Sequence, residues 1–382
     1  MPQDFVNFVR DIYSSNGFIP LHSPQFLGKE KEFVLDTINS TFVSSVGQYV
    51  DRFEAEMATY TGSKNAVATV NGTAALYTAL YLSGVNAGDL VITQSLTFVA
   101  TCNAIHMLGA APVFVDVDSE TLGMSPTSLS TWLEENAFID DLSVCRCKKT
   151  NQPIKAIVPM HTFGHPTKMD ELMQAAEFWQ LEVIEDAAES LGSFYKTEHT
   201  GLKGRFGILS FNGNKIITTG GGGMLLCQSE DDARRAKHVT TTAKVPHQYE
   251  FYHDEPGFNY RMPNINAALG CGQLEQINKK LEAKRKLANI YSDYFLSKGI
   301  RFVKEPRGCE SNYWLNTIAL ESTKEKEEWL KITNESGIMT RGVWQLMSNL
   351  PMYENCIKDE LKTSKNIYQT HINLPSTPVS IA

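Results

Sequence analysis

Leu209-Ser210-Phe211-Asn212-Gly213-Asn214-Lys215 runs on into Ile216-Ile217-Thr218-Thr219 and then into four glycines, Gly220 to Gly223. An apolar strand here carries a single lysine to its end. A hydroxyl, Ser210, lies just behind the lysine and the glycine run just ahead. A Schiff-base site needs that combination. Burial disfavours the ammonium form and frees the amine as a nucleophile, and glycines let backbone come close to a bulky cofactor. On its own the segment reads better as a surface lysine before a flexible turn, so its neighbours in the chain must decide.

The strand that leads to Lys215 is one of seven. Short apolar runs over 66–70, 90–93, 113–117, 154–160, 181–185, 208–211 and 224–227 read as strands. Helical patterns over 73–83, 98–108 and 169–180 lie between them, with Gly84 and Gly109 where helix C-terminal glycines belong. Strands apolar throughout and joined by helices predict a mainly parallel seven-stranded sheet covered on both faces. Ligands of such a sheet bind beyond the carboxyl ends of its strands. A long helical pattern follows over 264–297, then a strand near 316–320 and a helix near 324–336. These predict an N-terminal extension over 1–18, a large α/β domain over 19–250 and a smaller α+β domain over 251–382. The polar stretch 134–153 reads as a surface loop or insertion, with Cys145 and Cys147 as free thiols on it.

Composition narrows the class. The chain has 382 residues, 42% hydrophobic and 20% charged, with a formal net charge of -8. That balance gives no electrostatic footprint for DNA or RNA. No stretch approaches the ~18 continuous apolar residues of a membrane helix. The N-terminus lacks the basic and apolar regions of a signal peptide. Seven cysteines without framework spacing suit a reducing cytoplasm.

Three more strand ends and one segment before a helix carry candidate chemistry. Asn71-Gly72-Thr73-Ala74-Ala75 follows a strand and opens a helix, where unpaired N–H groups and the helix dipole favour a phosphate. The alternative is a plain helix cap. Val183-Ile184-Glu185-Asp186-Ala187-Ala188-Glu189 ends an apolar strand in an acid. Asp186 there suits a protonated ring nitrogen, Ala188 leaves room for a flat ring, and Glu189 is in reach of a ring hydroxyl; equally, Asp186 caps the next helix. Gly257-Phe258-Asn259-Tyr260-Arg261-Met262 precedes the long helix and reads alone as its cap. His161-Thr162-Phe163-Gly164-His165 follows a further strand. Gly164 and Pro166 make a turn and no carboxylate or cysteine completes a metal set, so His161 reads as a hydrogen-bonding group and no metal is expected.

A phosphate cradle, a strand-end Asp and a lysine in this order resemble a fold-type I pyridoxal phosphate enzyme. With Ile19-Pro20-Leu21, Phe42-Val43-Ser44, Gly47, Phe53-Glu54 and the closing Ile372-Asn373-Leu374-Pro375-Ser376, they resemble the DegT family of sugar aminotransferases over nearly the whole chain. Thr340-Arg341-Gly342-Val343-Trp344-Gln345-Leu346-Met347 and Pro351-Met352-Tyr353 look most like its branch that makes legionaminic acid and bacillosamine precursors.

The resemblance implies specific roles. Lys215 would bind pyridoxal 5'-phosphate as a Schiff base and shuttle the proton, and Asp186 would hold the ring nitrogen protonated. Gly72, Thr73 and Ser210 would bind the phosphate and Phe98 would stack on the ring. Asn259 would reach the cofactor phosphate of a neighbouring subunit, which implies a homodimer with shared sites. Glu189 stands where many members have Gln, and the glycine run lacks the acidic residue of the Gly-Glu-Gly-Gly version.

The expected reaction takes the amine of L-glutamate, through pyridoxamine 5'-phosphate, to a 4-keto sugar nucleotide. His161, Tyr313, Trp314, Arg341 and Trp344 are the candidates for the sugar-nucleotide cleft. Members that act as sugar dehydratases replace the lysine with histidine, so Lys215 argues against that reading. A non-catalytic regulator has no helix-turn-helix or basic patch to support it. A Rossmann dehydrogenase lacks its spaced glycines.

Overall fold

The computed structural model describes residues 1–379. The apolar runs form one seven-stranded sheet: β1 (Asn65–Thr69), β2 (Leu90–Gln94), β3 (Ala111–Val115), β4 (Ile154–Val158), β5 (Glu182–Asp186), β6 (Phe206–Ser210) and β7 (Gly223–Cys227). Their order is β1-β7-β6-β5-β4-β2-β3. Only β7 is reversed: it pairs antiparallel with both β1 and β6, while the other neighbours run parallel. Both β2 and β7 are buried along their whole length, as expected of strands covered on two faces.

Helix Gly72–Leu82 covers one face. It presents Leu76, Ala79 and Leu80 to Val67, Ile208 and Leu225 of the sheet. Its start is fixed by Asn71, whose Oδ1 accepts from Ala74 N–H at 2.8 Å, a cap worth about 1 kcal/mol. Gly84 and Gly109 end their helices at φ 75° and 74°, where only glycine is free of strain.

A second core forms around a four-stranded antiparallel sheet of Arg301–Phe302, Asn316–Ala319, Arg341–Gly342 and His371–Leu374. The N-terminal helix Pro2–Tyr13 belongs to this core. Phe5, Val6 and Val9 pack with Tyr291, Phe295 and Trp329.

Two expectations are corrected. The helical pattern over 264–297 is two helices, Asn264–Leu274 and Ile277–Leu296, broken at Glu275 and Gln276. They serve different cores. Ala267, Ala268 and Cys271 pack beside the large sheet, whereas Leu287, Tyr291 and Phe295 pack in the second core. The stretch 134–153 is not a plain loop either. The strands Ala137–Ile139 and Cys145–Cys147 pair antiparallel, and Cys145 and Cys147 are buried free thiols against Trp132 and Leu133.

Candidate active site

A cavity of about 220 Å³ lies at the carboxyl ends of β1, β5 and β6, with the loop before β7 beneath it. Helix Gly72–Leu82 points its first turn into this space. Asn71 Oδ1 takes the Ala74 N–H, and the first regular helical bond runs from Ala75 N–H to the Asn71 carbonyl. The N–H groups of Gly72 and Thr73 are thus left for a ligand, at the positive end of the helix dipole.

Ser210, at the end of β6, stands next to them. A Cβ on Gly72 would lie 3.0 Å from Ser210 Cβ, and a Cβ on Gly223 would lie 2.4 Å from the Asn71 carbonyl carbon. Glycine at both positions lets β6, β7 and the helix start converge, and the cradle they make fits a phosphate.

Asp186 ends β5 and is 5% exposed. Thr101 Oγ1 donates to its Oδ2 at 2.7 Å and Ala188 N–H to its Oδ1 at 3.3 Å. Burial pushes this carboxyl above its ordinary range, while the two hydrogen bonds and nearby Lys215 pull the other way. A buried acid left in that state favours a cationic partner, and a protonated ring nitrogen is one.

Lys215 Nζ lies 3.0 Å from Glu189 Oε1 and 4.0 Å from the centre of the Trp314 ring. The strand end therefore does not deliver the amine into a dry apolar slot: it meets a carboxylate and an aromatic face. Trp314 donates its indole N–H to the carbonyl of Asn214, at 2.7 Å, and so holds the residue just before the lysine. Glu189 Oε2 accepts from Phe163 N–H at 3.0 Å. Burial pushes the Glu189 carboxyl up to about 7, against the pull of Lys215. Phe98, half exposed, and Trp344 complete the wall, their ring centres 6.2 Å apart.

A phosphate cradle, an acid for a ring nitrogen, a lysine and a flanking aromatic in one space fit pyridoxal phosphate. Residues 25–380 match the DegT/DnrJ/EryC1/StrS aminotransferase family. The chain belongs to that family.

Among curated relatives, EpsN of Bacillus subtilis (strain 168) bears the name of a pyridoxal phosphate-dependent aminotransferase. It is 36% identical, over 94% of this chain and 90% of its own. The GDP-perosamine synthase of Escherichia coli O157:H7 is also 36% identical, over 94% of each chain. The fold is shared with the aminotransferase TlmJ from Streptoalloteichus hindustanus (TM-score 0.85, 24% identity, 94% of each chain). It is shared too with Spr1654 from Streptococcus pneumoniae in its PLP-form (TM-score 0.85, 23% identity, 96% of this chain and 95% of that one). The protein is thus a pyridoxal phosphate-dependent aminotransferase of fold type I.

In this DegT-family site Gly72, Thr73, Phe98, Asp186, Ala188, Glu189, Ser210, Lys215, Trp314 and Trp344 all line the one cavity. Three candidates for the sugar-nucleotide cleft do not reach it. His161 is fully buried, its Nε2 2.9 Å from Glu185 and its Nδ1 accepting from Thr167 N–H. Glu185 is itself a structural tie. Burial would raise it, but His161 and the N–H groups of Gly201 and Gly204 hold it below the ordinary range. Tyr313 is buried against Phe302, with its hydroxyl accepting from Glu305 N–H. Arg341 is exposed on the second sheet.

Asn259 is exposed, accepts from Arg261, and lies apart from the cavity of its own chain. Sequence reasoning missed Thr101, the hydroxyl that holds Asp186. Its signal was available: it sits one helical turn after Phe98, on a helix that opens at a strand end.

Proposed function

We propose that this aminotransferase moves an amino group from L-glutamate to the C4 keto group of a nucleotide-linked 4-keto-6-deoxy sugar. The acceptor we favour is UDP-2-acetamido-2,6-dideoxy-hexos-4-ulose, and the product is an amino sugar for surface polysaccharide or glycans. The observation that carries the reading is the convergence of Lys215, Asp186 and the Gly72–Thr73–Ser210 cradle on one cavity. The aromatic faces of Phe98, Trp314 and Trp344 suit a sugar ring, and residues 340–347 support the UDP-linked branch.

Each residue has a role in this reading. Gly72 and Thr73 N–H groups and the Ser210 hydroxyl hold the phosphate. Asp186, steadied by Thr101, keeps the ring nitrogen protonated. Ala188 leaves space beneath a flat ring, Phe98 covers it, and Glu189 is in reach of its hydroxyl. When bound, pyridoxal phosphate supplies an electron sink and carries the amino group between donor and acceptor. Lys215 moves a proton at the carbon that gains or loses the amine, in both halves of the exchange. Asn259, exposed and unused by its own cavity, supports a homodimer in which it meets the phosphate of the partner's cofactor.

A GDP-linked sugar is the second reading, supported by relatives named GDP-perosamine synthase. A panel of UDP-, GDP- and dTDP-linked 4-keto-6-deoxy sugars separates the two by kcat/KM. The purified protein should show a visible cofactor band that L-glutamate bleaches. Multiple-turnover amination by Lys215→Ala would overturn the central assignment.

A further inference from the structure

We propose that Glu189 is the proton acceptor for Lys215: the ammonium N–H donates across the 3.0 Å contact to Glu189 Oε1, the N–H bond breaks as the O–H bond forms, and both groups end neutral. The step rests on the reading of Lys215 as the residue that binds pyridoxal phosphate, and it answers a need of that reading. Only a neutral amine attacks an aldehyde carbon. Yet Lys215 is held between a carboxylate and the face of Trp314, and an aromatic face stabilises the charged form.

The geometry gives the proton a destination. Phe163 N–H, from the turn Thr162–Gly164, occupies Oε2, so Oε1 is the oxygen turned to Lys215. Three groups act on the Glu189 carboxyl. Lys215, from the loop after β6, and the Phe163 N–H favour its ionised form. Asp186, at the end of β5, repels a second negative charge and favours the protonated form. Glu189 is 2% exposed, and burial weighs on the same side as Asp186. In this closed site one proton moved over hydrogen-bond distance converts the ion pair into its neutral pair.

Glutamine at this position would keep an oxygen for Phe163 N–H but cannot accept a proton. The test needs neither sugar nor amino donor. Full-length protein stripped of cofactor is mixed with pyridoxal phosphate, and the growth of the visible band is followed across neutral and alkaline pH. In Glu189→Gln the rate at neutral pH should fall by about tenfold or more. Its pH midpoint should move upward by at least about one unit. Glu189→Asp, an acid withdrawn by one methylene, should fall between.

A carbon-13 titration of the glutamate carboxyls gives a second readout. It should show one resonance that is protonated near neutrality and missing from Glu189→Gln. Superimposable rate profiles for wild type and Glu189→Gln, or no such resonance, would overturn the proposal. A wild-type protein that forms no band would instead overturn the assignment of Lys215.

Discussion

Gly223→Ala tests whether the phosphate cradle is built by close backbone approach. Gly223 opens β7 and pairs with both Thr69 and Ser210, so it lies between the two strand ends that frame the cavity. An added Cβ would sit 2.4 Å from the Asn71 carbonyl carbon and oxygen and 2.5 Å from the Gly72 nitrogen. All three are backbone atoms and none can rotate away. Ordinary contact begins about 1 Å further out, so the Asn71–Gly72 peptide must retreat by roughly that distance.

Two costs follow. Overpacking of a buried strand costs about 1–3 kcal/mol of stability, read as a lower urea midpoint. A displacement of ~1 Å at a binding group costs about a hundredfold in function, read as weaker pyridoxal phosphate uptake and lower kcat/KM. Gly213→Ala is the control, because a Cβ there meets nothing within 4 Å. It should change stability by no more than about 1 kcal/mol and leave cofactor uptake alone. A Gly223→Ala protein with wild-type stability and wild-type uptake would show that the cradle does not depend on this approach.

Three further outcomes are expected. The rise of Glu189 from an ordinary 4.5 to about 7 is worth roughly 3 kcal/mol at about 1.4 kcal/mol per pH unit. A raised acid binds more protons in the folded state, so cofactor-free wild type should lose that stability between about pH 4.5 and 7, a loss Glu189→Gln should lack in urea titrations. Lys284 is 1% exposed and donates to the carbonyls of Trp314 and Ser376, and burial holds its ammonium well below the ordinary range. The folded state then binds fewer protons than the unfolded one. Wild-type stability should therefore rise with pH toward 10.5 relative to Lys284→Met, by at most about 1.4 kcal/mol per pH unit, in parallel unfolding curves. Asp186→Asn should cut turnover by about 10² to nearly 10⁴, the cost of breaking a buried ion pair of about 3–5 kcal/mol, without lowering the melting temperature of cofactor-free protein.

What the sequence made legible follows from where information is local. Each strand of the large sheet is a short apolar run, and what lies at its end is fixed by chain continuity. Asp186, Ser210 and the Gly72–Thr73 turn therefore lie at strand ends that open on one cavity, as their positions in the chain imply. Walls contributed by the segments around the second sheet depend on packing between residues far apart in the chain. Trp314 reaches Lys215 through its bond to Asn214, a hundred residues away. By the same logic Tyr313, its immediate neighbour in the chain, turns away to Phe302. His161 follows a strand as Asp186 does, but Glu185 and Thr167 capture both ring nitrogens. The break at Glu275–Gln276 carries no proline or glycine. It comes from two helix faces recruited to different cores, which a continuous 3.6-residue pattern does not reveal.

This division of labour bears on substrate choice. Asp186, Ser210 and the Gly72–Thr73 cradle lie at strand ends and a helix start of one sheet, with Glu189, Lys215 and Thr101 a few residues beyond such ends, and in the proposed reading they act on the amine and the cofactor. They would perform the same proton transfers for any keto sugar. Trp314 and Trp344 belong to segments flanking strands of the second sheet and line the same cavity. Lys284 ties the Trp314 carbonyl to that of Ser376, while both rings pack against Phe163 and the core beside the large sheet, so this wall is held from both sides. Changes in the segments that carry Trp314 and Trp344 should therefore reshape this wall while leaving Asp186 and the Gly72–Thr73 cradle in place. Relatives 36% identical over almost the whole chain leave room for such differences, and in the proposed reading the sugar this chain accepts depends on what Trp314 and Trp344 set against Lys215.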